Sequence, residues 1–224
     1  MKNIAIITTV SLIAIVLYVI AMYSPFNDYV FTSSLKAILF LFCPLVYFRS
    51  RFKEMFIKGN KKQIKRSLGL GVGIIATIFA LFAVMRLFLD HEMIIAQMDG
   101  YGIGGNNFMF VFIYIVVINA TLEEVFFRGF IFRTIYNMNY KRYAHIYSSL
   151  VFSLYHIPML VGGVSPGILI FLLFGLVVAG LIFNYIVIKC ENIIGAIIVH
   201  IAANMAINLI VVYYLYYLPL GRVH

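Results

Sequence analysis

Apolar positions run through this chain in long unbroken blocks, not in the alternation of a half-buried strand. Seven blocks read as membrane-spanning segments: roughly Ile4–Met22, Val30–Phe48, Ser67–Leu89, Asn107–Tyr136, Ala144–Val161, Gly167–Ile188 and Asn192–Tyr214. Crossing the hydrocarbon core takes about 20 apolar residues. Within lipid, each backbone N–H and C=O must be bonded inside its own segment, so helix is the state the pattern predicts throughout. The expected fold class is all-α, a polytopic bundle of about seven spans, within a range of six to eight. The fourth block is longer than a bilayer needs, and its half after Arg128 is expected to tilt or to continue as an interfacial helix. The first block follows Lys2 and has no clear small-x-small cleavage site, so it reads as a span and not as a secretory leader.

Composition sharpens this picture. The chain is 64% hydrophobic and 11% charged, with a mean hydropathy of +1.03. A soluble domain is nearer half apolar and about a quarter charged, so a water-soluble globule is excluded. A net charge of +9 invites a nucleic-acid reading, but 8 of the 17 basic residues fall in one loop, Arg49 to Arg66, between apolar blocks. That clustering is the cytoplasmic enrichment of a membrane protein, and no nucleic-acid partner is expected. With that loop inside, Asp90–Asn106, which has three acids and no Lys or Arg, falls outside. Arg133, Lys141, Arg142 and Lys189 fall inside, which puts the N-terminus inside and the C-terminus outside. Lys36 and Arg86 then lie near outer ends, where snorkelling to the interface is the ordinary explanation. The tyrosines of "VVYYLYYLPL" read as an interfacial aromatic belt. Cys43 and Cys190 give no disulfide framework. Residues 1–106 form three spans with the basic loop, and 107–224 form the chemically interesting part of one integrated membrane domain.

Polar residues inside the spans are few and grouped. The fourth carries Glu123, Glu124 and Arg128 in "TLEEVFFRGF", the fifth carries "FSLYH" (Phe152–His156), and the seventh carries His200, Asn204 and Asn208. The sixth has little beyond Asn184. Placing one charge in lipid costs about 2.5–3.5 kcal/mol on insertion scales, and the chain has only 8 acids to place. At about 1.5 Å per residue, Glu124 lies about 18 Å from Tyr136, His156 about 21 Å from Arg142 and His200 about 13 Å from Glu191, so the three groups share a layer to within a turn or two. Glu124 and Arg128 are at i,i+4 with the acid first, the favourable order for an ion pair. Glu123 points about 100° away, toward His156, His200 or water. Taken singly, a Glu–Arg pair or a span Asn is ordinary helix–helix glue, and a lone His is ordinary packing. Two adjacent acids, two imidazoles and an amide at one depth fit a hydrated site better.

Such a set suits hydrolysis: Glu123 takes a proton from water, His156 helps to hold that water, and His200 with Asn204 donates to the oxyanion of a scissile carbonyl. The rival is a zinc site on Glu123, His156 and His200 with water in the fourth position, although no HExxH is present. "EEVFFR" (Glu123–Arg128), "FSLYH" and "HIAAN" (His200–Asn204) resemble, in order, the EExxxR, FxxxH and HxxxN motifs of the CAAX-protease and bacteriocin-processing (CPBP) family of intramembrane endopeptidases, which includes the type II CAAX prenyl endopeptidases. The resemblance covers about Asn107 to Tyr214; the first three spans carry no motif. It implies a helical bundle around an intramembrane cavity, a glutamate-dependent mechanism without cofactor, and a membrane-associated peptide or protein as substrate. It also implies that Glu123 is the base, His156 its partner on the water, His200 and Asn204 the oxyanion donors, and Glu124, Arg128 and Phe152 supporting residues. Short loops and small size suggest a bacterial cytoplasmic membrane, with peptide maturation, bacteriocin immunity or cell-envelope processing as candidate roles. A non-catalytic immunity or scaffold protein is the alternative. A proton relay or small transporter fits less well, since no inverted repeat or paired broken helices are evident.

Overall fold

The computed structural model describes residues 2–24, 28–57, 59–89, 91–100 and 108–213. Seven helices build the body: α1 (Lys2–Met22), α2 (Tyr29–Phe48), α3 (Lys61–Met85), α4 (Phe108–Asn137), α5 (Lys141–Leu154), α6 (Pro166–Cys190) and α7 (Ile194–Val212). Among the described residues, all of these except α5 are long and apolar enough to cross a membrane. The all-α bundle expected from the hydropathy pattern is therefore present, with six candidate spans. Most of the tyrosine-rich C-terminal belt lies outside the described residues.

The fifth segment departs from the continuous span Ala144–Val161. Its helix stops at Leu154, turns through Tyr155 and His156, and resumes only for Ile157–Leu160. Pro158 explains the break. It has no N–H to bond the carbonyl of Leu154, and its ring would clash with that carbonyl in a continuous helix. At 14 residues, α5 is about 21 Å long, short of the roughly 30 Å hydrocarbon core.

α4 is the axis of the bundle: 56% of its most apolar window is buried, against 6% for α3. Every residue from Glu124 to Phe132 is buried. The half after Arg128 is thus core as far as Phe132, and not the interfacial helix that its excess length suggested. Two stretches of α4, Tyr114–Asn119 and Glu124–Phe132, are π-helical and flank the regular turn Ala120–Glu123. Around this axis α2 and α5 pack on the second half, and α7 packs on the first half. The α2 contact is aromatic, with Phe40 stacked on Phe126 at 4.1 Å between ring centroids.

Small residues let the outer helices approach closely, the usual device where lipid supplies no hydrophobic drive. A Cβ on Gly180 of α6 would stand 2.9 Å from the Cα of Ser149 in α5. Beside it Asn184 donates to Ser149 Oγ at 3.2 Å, so this span asparagine is interhelical glue. Gly180→Val is expected to lower stability by about 1–3 kcal/mol through overpacking against fixed backbone. Thermal unfolding in detergent checks this, and an unchanged midpoint would contradict the packing.

Candidate active site

Glu123 lies near the middle of α4 and is 1% exposed. Its two oxygens have different surroundings. Oε1 accepts from Asn119 Nδ2 at 2.7 Å, from the Tyr155 hydroxyl at 2.6 Å and from Lys36 Nζ at 3.4 Å. Oε2 accepts no hydrogen bond from the protein and faces His200 Nε2 at 3.6 Å and His156 Nε2 at 3.8 Å. One oxygen is anchored, and the other is turned to the two imidazoles.

The imidazoles are fixed from behind. His156 Nδ1 lies 2.7 Å from the Phe152 carbonyl, which can only accept, so Nδ1 carries the hydrogen. Neutral His156 therefore presents a bare Nε2 toward Glu123. His200 Nδ1 lies 2.8 Å from Glu124 Oε1, and the same oxygen accepts from Arg128 Nη1 at 3.0 Å. Glu124 thus both pairs with Arg128, as its spacing indicates, and orients His200. Arg128 is fully buried, and its guanidinium lies over the Phe152 ring at 4.1 Å and near the Phe183 ring at 4.8 Å. That contact gives Phe152 its place beside the site.

Asn204 follows His200 by one turn, but its amide donates to the Ile115 carbonyl in the π-helical stretch of α4 at 2.9 Å. One N–H of this amide is committed to holding α7 on α4. Asn208 donates to the Asn204 carbonyl within α7 at 2.8 Å and does not extend the site.

Three residues on Glu123 escaped the sequence reading. Lys36 is 4% exposed, and its Nζ also donates to the Tyr155 hydroxyl at 2.9 Å. The snorkelling explanation for it is therefore wrong. It sits on the inward stripe Thr32, Lys36, Phe40, Pro44 of α2, all four buried. That spacing of four was visible in the sequence, as was Asn119 four residues before Glu123. Tyr155 adjoins His156, and in an unbroken helix neighbours point about 100° apart. The turn at Tyr155–His156 lets both reach Glu123.

For a metal, Glu123, His156 and His200 would have to converge. Among the described residues no group of three or more His, Cys, Asp and Glu side chains has the arrangement to hold an ion. Lys36 already brings a cation to the same carboxylate. The pocket lined by Tyr47, Met55, Gly129 and Arg133 does not include Glu123 or either histidine. The His156 side chain is 17% exposed, against 6% for His200, so the more open side of the site is that of His156.

Residues 105–206 match the family described as type II CAAX prenyl endopeptidase Rce1-like. No curated relative and no solved structure matches the chain.

Proposed function

We propose, from the premise that residues 105–206 place this chain in the CPBP family of intramembrane endopeptidases, that it hydrolyses a peptide bond of a membrane-associated peptide or protein with water activated by Glu123. The protein is an integral membrane protease of the CAAX type in its general class. The observation that carries the finer reading is the asymmetry of Glu123: three donors on Oε1, two imidazole Nε2 atoms facing Oε2.

A water between these groups would donate one hydrogen to Oε2 and the other to a bare Nε2, since both are acceptors. That fixes its lone pair toward a substrate carbonyl. Glu123 Oε2 takes the proton as the oxygen attacks, and returns it to the leaving amine. His200 can donate to the developing oxyanion only when both ring nitrogens carry hydrogen. Glu124, hydrogen-bonded to Nδ1, supports that imidazolium. The remaining N–H of Asn204 is the second oxyanion donor in this reading. The reaction needs no cofactor, so cleavage is expected to survive chelator and the purified protein to carry no stoichiometric zinc. We infer a bacterial cytoplasmic membrane from the short loops and small size of the chain, and an N-terminus inside from the asymmetry of its loop charges. Its candidate roles are peptide maturation, bacteriocin immunity and cell-envelope processing.

Terminal-peptide profiles of membranes carrying the wild type or Glu123→Ala test this directly. New peptide termini specific to the wild type are expected. Identical profiles, with a phenotype complemented by Glu123→Ala, would favour a non-catalytic immunity or scaffold role instead.

A further inference from the structure

We propose that Lys36, contributed by α2 from outside the segment that carries the family match, is the counter-ion and positioning residue of the Glu123 base. The inference rests on the hydrolase reading of Glu123 for its catalytic half, and on the buried geometry alone for the rest.

The charges at the site balance in two pairs. Glu124 has Arg128 at 3.0 Å, and Glu123 has Lys36 at 3.4 Å. All four side chains are at most 5% exposed. Each of the two adjacent buried carboxylates thus has its own cation. Arg128 alone cannot offset both carboxylates, because its ion pair is with Glu124 Oε1. Removing a partner from such a pair leaves an uncompensated buried charge, which is far more costly than removing both.

Lys36 also decides which oxygen reacts. Its ammonium donates to the Tyr155 hydroxyl, and that hydroxyl donates to Oε1 at 2.6 Å. The rings of Tyr18 and Tyr155 each lie 5.5 Å from Nζ and wall it in. Oε1 is thereby held as an acceptor and the carboxylate cannot rotate without losing three donors, so Oε2 stays aimed at the imidazoles. Lys36 touches neither histidine. It acts through Glu123 and Tyr155, which makes it a positioning residue. The catalytic centre is thus completed by the N-terminal hairpin, which carries none of the motifs.

Two measurements decide the proposal. In the first, Lys36→Met and the double variant Lys36→Met/Glu123→Gln are compared by thermal unfolding in detergent. The single substitution is expected to lower Tm by on the order of 10 °C, and adding Glu123→Gln to restore most of that loss by removing the orphaned charge. A double variant no more stable than Lys36→Met alone overturns the pairing, whatever the protein cleaves. In the second, a synthetic peptide bearing the most abundant wild-type-specific cleavage site is cut in proteoliposomes. Per folded protein, Lys36→Met is expected to lower kcat about 100-fold with KM within about threefold, and Lys36→Arg to keep at least a tenth of the activity. An unchanged kcat for Lys36→Met, or Arg no better than Met, overturns the positioning role. A wild type that cleaves nothing would count against the hydrolase reading, and the unfolding comparison would still decide the pairing.

Discussion

Glu123→Gln is expected to reduce turnover by about 10²–10⁴-fold per folded molecule, the range for loss of a positioned general base. The substitution is nearly isosteric, and the amide has a definite orientation to adopt. Its oxygen takes the place of Oε1, where Asn119, Tyr155 and Lys36 all donate. Its NH₂ then occupies the position of Oε2, opposite the Nε2 atoms of His156 and His200. That group can donate to a water but cannot accept its proton. Because three donors persist, the helix packing around the residue should survive better than with alanine. Single-turnover cleavage of the synthetic peptide in proteoliposomes, normalised to the monodisperse fraction, gives the number. A rate within threefold of wild type would remove Glu123 from the chemistry.

Arg128→Met should act on the fold and not on the reacting atoms. The guanidinium is fully buried, pairs with Glu124 and lies between the Phe152 and Phe183 rings. Its loss strands the Glu124 carboxylate in the protein interior with His200 as its remaining partner. Breaking a buried pair from one side costs about 3–5 kcal/mol, a fall in Tm of roughly 6–20 °C for a chain of this size. The expected readout is a small monodisperse yield and a depressed unfolding midpoint, with Glu124→Gln/Arg128→Met recovering part of both. A shift under 2 °C would mean that the pair contributes nothing measurable to the fold.

Much of this was legible in the chain. Long apolar blocks dictate helices, because lipid offers the backbone no partner, and the i,i+4 spacing of Glu124 and Arg128 gave their pair. The three motif groups did meet at one layer, as depth counting along α4, the fifth segment and α7 indicated. The errors have local physical causes. Hydropathy measures how apolar a segment is, not whether its backbone is continuous, so Pro158 ended α5 inside an apolar block. Lys36 was misjudged because distance from a helix end says nothing about facing; the stripe Thr32, Lys36, Phe40, Pro44 did. Tyr155 was hidden by the assumption of helical geometry through a residue pair that sits in a turn. The second partner of Glu124, His200, could not be foreseen, because spacing within α4 does not report which ring of another helix leans against it.

The bend at Tyr155–His156 ties the two sides of Glu123 to a single joint. Consecutive residues stand at opposite oxygens of this carboxylate, Tyr155 donating its hydroxyl to Oε1 and His156 facing Oε2 with its imidazole. Any motion that swings this joint outward withdraws both together and leaves Asn119 and Lys36 on Oε1 and His200 facing Oε2. The more accessible flank of the carboxylate, that of His156, is therefore the flank this joint governs.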